Sequence, residues 1–521
     1  MQLFHSLTDH LDFHAANRGD VMMGRDAEQQ LDYHAALEHV NRIAGAIRAA
    51  GLKKGDRAGI LAKNSIDNIC VFLACARLGV VAVGLNYRLT QPEVEFIASD
   101  AELALLFFDS EFDGLRGDYL RSKPAVCFDK SDSAPQFNDW LGNAEPVTES
   151  CAGGEDVLFQ MYTSGTTGLP KGVLITHRNV LLMTYQAPMT TGKGARVGEV
   201  GLVVAPVFHA VGLVGALMGV IYGGSMIIHR DYDPVGMIDT LVNEKINTTA
   251  VIPVMLQFSI ACVPDIAERD FSHLHTINYG ASPIGEDLLQ QCMDIFKCDF
   301  IQGYGQTEAT LALTFLTAED HKQALAGHPE LLRSCGRAVF GTDIRIVDGA
   351  GKPLPNGEIG EIVARGPQLM KGYWKRDEAT ASTIVDGWLH TGDAGRMDDA
   401  GYVYIQDRVK DMVISGGENI YSSEVENCLY DHPAVTDAAL VGIPHKQLGE
   451  EPAAVVHCAP GHEVSEAELQ AWVAERLAKF KVPVKIVFVE ETLPRNANGK
   501  ILKKDLPRLY FGVGAEEDVV G

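Results

Sequence analysis

The spacing of apolar and polar residues in the first hundred positions is typical of helices that alternate with buried strands. Residues 31 to 50 have the pattern of a helix, and a Gly-Leu-Lys-Lys-Gly-Asp turn follows it. A short apolar run over 57 to 62 predicts a buried strand, and a helix over 66 to 79 and a strand over 80 to 85 continue the series. This alternation predicts an α/β fold with mostly parallel sheets covered by helices.

The longest apolar segment, residues 201 to 228, contains no Asp, Glu, Lys or Arg and exceeds the length needed to cross a bilayer core. Pro206, His209 and six glycines interrupt it. We therefore favour a strand, a loop and a helix buried in a large α/β domain over a membrane span. Residues 248 to 252 predict a further short strand that ends at Pro253.

The pattern changes after residue 341 to short strands separated by Gly and Pro, for example over 343 to 348 and 360 to 364, which predicts a small antiparallel subdomain. Beyond Lys410 the chain predicts a compact α+β unit. Its elements are a helix over 422–430, strands over 435–442 and 451–457, a helix over 465–479 and a strand over 485–490.

Composition adds few constraints. A chain of 521 residues predicts at least two domains. The 44 basic and 69 acidic side chains give a formal charge of −25, which argues against nucleic acid or an anionic membrane as a partner. Ten scattered cysteines without metal or redox spacing, and no basic-then-apolar start, predict reduced thiols in a cytoplasmic protein without a secretory signal.

The most informative stretch is residues 162 to 172, Tyr-Thr-Ser-Gly-Thr-Thr-Gly-Leu-Pro-Lys-Gly. Glycines let the backbone approach an anion closely, the hydroxyls donate hydrogen bonds, and Lys171 adds a positive charge. The alternative is a polar surface loop, against which the lysine and the apolar run after it argue. The P-loop of nucleotide triphosphatases is excluded because Gly172, not Ser or Thr, follows Lys171.

Four further blocks follow in order. They are Gly-Tyr-Gly-Gln-Thr-Glu at 303–308, Trp-Leu-His-Thr-Gly-Asp at 388–393, Asp-Arg-Val-Lys-Asp at 407–411 with Gly-Gly-Glu-Asn at 416–419, and Pro-Arg-Asn-Ala-Asn-Gly-Lys at 494–500. Together with the 162–172 loop they resemble the adenylate-forming superfamily of acyl-CoA synthetases, luciferases and peptide-synthetase adenylation domains. The resemblance covers nearly the whole chain.

The resemblance implies an N-terminal domain over 1–409 that binds the acid and ATP, and a small mobile C-terminal domain over 410–521. It implies activation of a carboxylic acid as an acyl-adenylate with ATP and Mg²⁺, followed by transfer to CoA. Making a mixed anhydride with AMP brings two anions together, so the site must neutralise phosphate charge.

The resemblance also implies roles for individual residues. Glu308 would coordinate Mg²⁺, Thr307 would donate to the α-phosphate, and Lys500 would be the catalytic lysine. Asp393 and Arg408 would bind the ribose, although a simple salt bridge between them is the alternative. The remaining predicted nucleotide-binding residues are Thr163, Ser164, Gly165, Thr166, Thr167, Gly168, Lys171, Gly280, Ala281, Ser282, Gly303 and Tyr304.

Lys410 resembles the hinge about which the small domain rotates between the two half-reactions. The predicted CoA-binding residues are Gly416, Gly417 and Lys481. Some relatives have tryptophan where Leu448 stands and basic residues where Val482 and Val484 stand, and these departures weaken the CoA assignment.

The acyl group is predicted to be larger than acetate, because acetate-type relatives close the pocket with a tryptophan where this chain has Gly305. His209 would act at the mouth of the acyl tunnel, with a core histidine as the alternative. No acid stands beside it to bind an amino-acid ammonium, so a fatty acid or an aryl or arylpropenoic acid remains. The predicted pocket residues are Phe208, His209, Val211, Gly212, Met255 and Gly303.

Three other functions compete. A stand-alone enzyme could load a carrier protein, a luciferase-like oxidase would consume oxygen, and a non-catalytic nucleotide-binding protein would need a broken site. The five key side chains Thr163, Glu308, Asp393, Arg408 and Lys500 are all present. The sequence leaves open whether the protein forms a homodimer.

Overall fold

The computed structural model describes residues 5–163, 170–193, 197–281, 284–408, 411–415, 418–459, 461–462, 464–495 and 501–513. The chain forms two compact units. The large unit comprises Met1–Ile344, Ala364–His390 and Ala400–Val403, and the small unit comprises Arg345–Val363, Thr391–Asp399 and Tyr404–Gly521. The predicted domain boundary at residues 409 and 410 remains a prediction.

Helices and strands alternate through the first 342 residues. The helices are α1 (Thr8–Arg18), α2 (Tyr33–Ala49), α3 (Ile66–Leu78), α4 (Gln91–Asp100), α5 (Asp118–Arg121), α6 (Phe137–Leu141), α7 (His177–Thr191), α8 (Ala210–Tyr222), α9 (Pro234–Asn243), α10 (Pro253–Cys262), α11 (Glu286–Phe296) and α12 (Ala318–Leu325). The strands are β1 (Met22–Arg25), β2 (Gln30–Asp32), β3 (Arg57–Leu61), β4 (Val81–Gly84), β5 (Leu103–Phe108), β6 (Ala125–Cys127), β7 (Val157–Thr163), β8 (Lys171–Thr176), β9 (Val200–Val203), β10 (Ser225–Ile228), β11 (Thr248–Val251), β12 (Thr276–Gly280), β13 (Asp299–Tyr304), β14 (Thr314–Leu316) and β15 (Arg337–Ala338).

Shorter elements follow between residues 343 and 408. They are β16 (Asp343–Val347), β17 (Gly360–Arg365), β18 (Gly372–Tyr373), α13 (Asp377–Thr383), β19 (Ile384–Val385), β20 (Trp388–Met397) and β21 (Val403–Arg408). β16, β17, β20 and β19 lie in this order in one sheet, and β21 also pairs with β20. The predicted strands over 343–348 and 360–364 are confirmed as β16 and β17.

Two large sheets form the framework of the large unit. One has seven strands in the order β18-β8-β7-β4-β3-β5-β6, and the other has nine in the order β15-β14-β13-β12-β11-β9-β10-β1-β2. The inner strands are parallel, and antiparallel pairs occur at the edges, for example β7 with β8 and β13 with β14. Mostly parallel sheets covered by helices were predicted, and this prediction is confirmed.

Local signals explain several boundaries. Ser65 caps α3 by accepting a hydrogen bond from the Asn68 amide, and Gly79 ends the helix with φ of 68°. The apolar segment over 201–228 forms β9, a loop and α8, as predicted, and then β10, a second strand that was not predicted. Gly223 ends α8 with φ of 70°. Within the described ranges no helix is both long and apolar enough to cross a membrane. All ten cysteines are free thiols, six of them buried.

The last part of the small unit is an α+β arrangement. Its elements are β22 (Val413–Ser415), β23 (Glu418–Ile420), α14 (Ser422–Tyr430), β24 (Val435–His445), β25 (Gly449–Cys458), α15 (Glu466–Ala474), β26 (Lys485–Val489) and α16 (Leu506–Phe511). The sheet order is β23-β22-β25-β24, with β26 parallel to β25. The predicted helix over 465–479 is shorter than expected, since it ends at Ala474 and continues only as turns through Leu477.

Candidate active site

A buried carboxylate lies just beyond the end of β13 in the large unit. Glu308 belongs to a short 3₁₀ turn, Thr307–Ala309, and is 7% exposed. Its Oε1 accepts hydrogen bonds from the Tyr373 hydroxyl at 2.8 Å and the Thr163 hydroxyl at 3.3 Å. Ligands of parallel sheets commonly bind outside the carboxyl ends of the strands, so Glu308 stands where a site is expected.

The turn that carries Glu308 is fixed by residues 367–374, which we call the 367–374 segment. The Met370 amide donates to the Glu308 carbonyl at 2.8 Å, and the Thr310 hydroxyl donates to the Gln368 carbonyl at 2.6 Å. Thr310 has φ of 66°, an uncommon conformation for a β-branched residue, and its buried hydrogen bond helps to hold it there. Asn179 on α7 donates to the carbonyls of Leu369 and Pro367 at 2.8 and 3.1 Å.

The predicted phosphate lysine lies near the aromatic ring whose hydroxyl binds this carboxylate. Thr163 pairs with Lys171 across the antiparallel strands β7 and β8. The Lys171 ammonium lies 4.9 Å from the centre of the Tyr373 ring, whose hydroxyl binds Glu308. The fold thus brings together Thr163, Lys171 and Glu308, whereas the loop residues Ser164, Gly165, Thr166, Thr167 and Gly168 lie outside the described residues.

Close backbone contacts explain the small residues predicted to face the adenine. Gly280 and Gly303 are partners in β12 and β13, and a Cβ on Gly280 would lie 2.3 Å from the Gly303 carbonyl oxygen. Ala281 follows with φ of 65°. Tyr304 ends β13 and packs against the buried cluster around Leu313, while Ser282 lies outside the described residues. The Gly303 carbonyl therefore requires glycine at position 280.

The predicted acyl-pocket residues come from three elements. Phe208 and His209 precede α8, with their ring centres 4.4 Å apart, and Tyr87 contacts Phe208 edge-on at 5.0 Å. Val211 and Gly212 lie in the first turn of α8, and a Cβ on Gly212 would lie 2.3 Å from the Pro206 carbonyl oxygen.

Met255 and Gly303 occupy different surroundings. Met255 lies on α10 and is buried in the same cluster as Ile238 and Leu241. A Cβ added to Gly303 would lie 3.2 Å from the nearest ring carbon of Phe315. At Gly305 a Cβ would lie 2.5 Å from the Leu311 carbonyl oxygen, so this backbone excludes the tryptophan of acetate-type relatives.

In the small unit, Asp393 is 5% exposed and lies on β20. The Thr391 hydroxyl donates to the Ile362 carbonyl at 2.7 Å and accepts from the Asp393 amide at 3.1 Å. Gly392 has φ of 71° and its amide donates to Glu361 at 3.0 Å. Arg408 ends β21, and its side chain is outside what the structure describes.

The predicted lysine block of the small unit, residues 494–500, is described only at Pro494 and Arg495. Arg495 and Ile501 pair antiparallel, and Arg495 binds both carboxylate oxygens of buried Asp437 at 2.7 and 2.8 Å. Lys481 binds both oxygens of Glu424 at 2.8 and 2.6 Å. Four predicted site residues, Lys410, Gly416, Gly417 and Lys500, lie outside the described residues.

Sequence reasoning missed Tyr373 as a residue of this site. Its hydroxyl binds a carboxylate 65 positions earlier in the chain. The local sequence Lys-Gly-Tyr-Trp-Lys at 371–375 predicts at most a buried aromatic residue. Burial, and then the negative charge of Glu308, raises the pKa of Tyr373. The phenol therefore remains a donor over the working pH range.

Two family models match this chain. The family model described as AMP-binding enzyme matches residues 11–374, and the model of the AMP-binding enzyme C-terminal domain matches residues 424–500. A fatty acid–[acyl-carrier-protein] ligase, ScoC, from Streptomyces coeruleorubidus is 35% identical over 97% of this chain and 96% of its own length. A feruloyl-CoA synthase from an Amycolatopsis species is 37% identical over 92% of this chain and 94% of its own length.

Solved structures of o-succinylbenzoate CoA synthetase (MenE) from Bacillus subtilis are also similar. The complex with the acyl-adenylate intermediate superposes with a TM-score of 0.84 at 30% identity, covering 95% of this chain and 97% of that chain. The complex with ATP and magnesium ion gives a TM-score of 0.83 at 29% identity, with 95% and 98% covered.

The fold and the grouping of Thr163, Lys171 and Glu308 define an adenylate-forming enzyme. The chain belongs to the AMP-binding enzyme family, because the family model covers well over half of it. It is an acid–thiol ligase of the acyl-CoA synthetase branch, as the sequence predicted.

Proposed function

We propose that this enzyme is an ATP-dependent acid–CoA ligase that works in two half-reactions. The carboxylate of an acid attacks the α-phosphate of ATP, pyrophosphate leaves, and an acyl-adenylate forms. The thiol of CoA then attacks the acyl carbon and AMP leaves. The grouping of Thr163, Lys171 and Glu308 carries the proposal, because hydroxyls, an ammonium and a buried carboxylate suit a metal–polyphosphate ligand.

The residues of the large unit would neutralise phosphate charge. Thr163 and Lys171, with the loop residues between them, would bind the phosphates, and Thr307 would donate to the α-phosphate. Mg²⁺ prefers oxygen ligands and is commonly held by one or two carboxylates together with substrate phosphates. The buried Glu308 carboxylate fits that ligand set, and the ion would supply charge neutralisation to the phosphates.

The nucleoside and the acid would be held by separate groups. Gly280, Ala281, Ser282, Gly303 and Tyr304 would surround the adenine, and Asp393 and Arg408 would bind the ribose. Lys500 would stabilise the negative charge that develops as the carboxylate attacks. The predicted acyl pocket, Phe208, His209, Val211, Gly212, Met255 and Gly303, would hold the acid.

The proposed acid is a medium- or long-chain fatty acid or an aryl or arylpropenoic acid. Both classes are represented among the relatives at similar identity. One relative is named as a fatty acid ligase and another as a feruloyl-CoA synthase. The apolar and aromatic side chains around Phe208 suit both.

A carrier-protein acceptor is the second candidate. The ScoC relative is named as an acyl-carrier-protein ligase, and Lys481, which would bind CoA with Gly416 and Gly417, is already paired with Glu424. A cation that must first leave an ion pair is a weaker ligand for the phosphates of CoA. The Lys481–Glu424 pair therefore gives the alternative a structural basis.

Mass spectrometry of the products distinguishes CoA from a carrier protein as the acceptor. Purified enzyme would be incubated with ATP, Mg²⁺ and a panel of fatty, aryl and arylpropenoic acids, alone, with CoA, or with a holo-carrier protein. The proposal predicts acyl-adenylate in the absence of a thiol and acyl-CoA when CoA is added. Adenylate that persists with CoA but is consumed by the carrier protein would favour the second candidate, and no adenylate with any acid would contradict both.

A further inference from the structure

We propose that Tyr373 is a positioning residue for the Glu308 carboxylate, which it holds in the orientation needed to bind the metal of a metal–nucleotide complex. The inference rests on the proposed function, because it assigns a partner to the proposed metal-binding group. It adds a residue that none of the five sequence blocks contains. The structure supports it through the hydrogen bonds of Glu308, the anchoring of Tyr373 and the position of Lys171.

The hydrogen bonds to the Glu308 side chain are asymmetric. Tyr373 at 2.8 Å and Thr163 at 3.3 Å both donate to Oε1, and among the described residues no donor reaches Oε2. A carboxylate held through one oxygen cannot rotate freely, so its other oxygen keeps a fixed direction. Hydrogen-bonded partners that orient metal-binding carboxylates in this way are a common feature of metal sites.

The donor and the acceptor are anchored to each other through the backbone. Tyr373 pairs with Val173 in the antiparallel contact of β18 with β8, and its amide donates to the Thr380 hydroxyl at 2.9 Å. Three residues earlier, the Met370 amide donates to the Glu308 carbonyl at 2.8 Å. The 367–374 segment thus fixes the separation of the two backbone positions that carry the phenol and the carboxylate.

The ring and the hydroxyl of Tyr373 have different neighbours. The ring lies 4.9 Å from the Lys171 ammonium, a cation–π distance, while the hydroxyl binds Glu308. Replacement by phenylalanine removes the hydrogen bond and keeps the ring beside Lys171. The Tyr373→Phe variant should therefore change metal binding more than it changes nucleotide binding.

The experiment measures metal binding directly and uses a matched control. Mn²⁺ is titrated into wild-type and Tyr373→Phe enzyme, each in excess over a non-hydrolysable ATP analogue so that no nucleotide remains free to chelate the metal, and free Mn²⁺ is followed by electron paramagnetic resonance. The control is Tyr402→Phe, since Tyr402 donates to buried Asp320 at 2.7 Å and is as buried as Tyr373. Thermal melting checks that both variants fold.

The expected result is a weakening of Mn²⁺ binding by about tenfold in Tyr373→Phe, the range found when such outer partners are removed. The Tyr402→Phe curve should match wild type. The Mg²⁺ concentration for half-maximal pyrophosphate release should rise by a similar factor. An unchanged Mn²⁺ curve would overturn the proposal, and so would a lower maximal rate with an unchanged Mg²⁺ midpoint, because that result indicates a structural role.

A double variant tests whether Tyr373 acts through Glu308. In a Glu308→Gln background, Tyr373→Phe should weaken Mn²⁺ binding by less than about twofold, because coupled residues are not additive. A further tenfold loss would overturn the proposal. Failure of the proposed function would be seen separately, as wild-type enzyme that binds Mn²⁺ with the nucleotide but forms no adenylate from any acid.

Discussion

The two units hold their predicted chemical groups in different ways. In the large unit, Glu308 is bound by side chains 145 positions before it and 65 positions after it, and its backbone is bound by Met370. In the small unit, the contacts belong to described residues on either side of the segment that contains Lys500. They are the ion pair of Arg495 with Asp437, the Arg495–Ile501 pairing, and the hydrogen bonds that the amides of Leu493 and Leu502 donate to Asp437 and to the Pro494 carbonyl.

This difference suggests a division of labour. Groups that would bind the α-phosphate, which stays in the site through both half-reactions, benefit from fixed geometry, whereas Lys500 would be needed for adenylation alone. Changes to the phosphate-binding groups should then affect both half-reactions, and changes near Lys500 should affect mainly the first.

Lys500→Ala should reduce adenylation at least about a thousandfold, because it removes a charge that stabilises the transition state. Conversion of synthetic acyl-adenylate with CoA should change little. Pyrophosphate release measures the first step and acyl-CoA formation the second. The exposed neighbour Lys504→Ala serves as the control, and equal loss of both steps in Lys500→Ala would contradict its assignment.

Lys410→Pro should impair thioester formation and leave adenylation largely intact, the reverse of Lys500→Ala. Proline fixes φ, so a rotation about this position would be blocked after adenylation. We expect adenylate formation within about threefold of wild type and a loss of thioester formation of about a hundredfold or more. A parallel loss of both half-reactions would show that Lys410 is not a hinge.

Asp437→Ala should remove contacts that hold the chain just before the segment that contains Lys500. The buried carboxylate accepts from Arg495, from the Tyr430 hydroxyl at 2.8 Å and from the Leu493 amide at 3.1 Å. Its loss should lower the free energy of unfolding by about 1–3 kcal/mol and slow adenylation about tenfold, with a smaller effect on acyl transfer. Urea denaturation and the two half-reaction assays measure these effects.

An exposed ion pair provides the control for that variant. Glu475 and Arg476 are in contact at 3.2 Å near the surface, and such pairs contribute little. Glu475→Ala should leave both stability and rates unchanged. Equal changes in stability and adenylation rate in Asp437→Ala and Glu475→Ala would show that the Asp437 contacts have no specific role in adenylation.

Acid should weaken the large unit through His177, the first residue of α7. Burial lowers the pKa of His177 to about 4, with Asp156, Asp9 and Lys54 as the charged groups that act on it. Since the unfolded chain binds this proton near pH 6.5, the stabilisation is present above pH 6.5 and is lost as pH falls toward 4. The loss is at most about 3 kcal/mol.

Urea midpoints between pH 7 and pH 4.5 test this prediction. His177→Gln should show a shallower decrease in stability with falling pH than wild type. The sharper expectation is that hydrogen exchange increases first around α7, which supplies Asn179 to the 367–374 segment. Identical pH dependence in the two proteins would contradict the role of His177.

Much of the fold could be predicted from local patterns. Periodicity located α2, β3, α3 and β4, and the glycines and Pro206 correctly indicated a strand, a loop and a helix in the apolar 201–228 segment. The second strand of that segment, β10, was missed. The α15 helix ended five residues early, because no strong local stop signal marks Ala474. Strand order could not be predicted, since β18 joins β8 across roughly two hundred positions.

The candidate site could be predicted where a block of the sequence is recognisable. The 162–172 loop was predicted from hydroxyls, glycines and a lysine that occur together, and Glu308 was predicted from the resemblance of the 303–308 block; the roles of both remain predictions. Tyr373 and the Lys481–Glu424 pair were not predicted, because their partners lie 65 and 57 positions away and the local sequence does not reveal them. Tertiary hydrogen bonds between distant segments therefore mark the limit of the sequence analysis.

The most direct test of the central claim, activation through an acyl-adenylate, follows oxygen atoms. A carboxylic acid accepted by the enzyme would be labelled with ¹⁸O in both carboxyl oxygens, converted to completion with ATP, Mg²⁺ and CoA, and the nucleotide product analysed by mass spectrometry. The account predicts AMP that carries one ¹⁸O on its phosphate and unlabelled pyrophosphate. Unlabelled AMP, or label in ADP or inorganic phosphate, would contradict it.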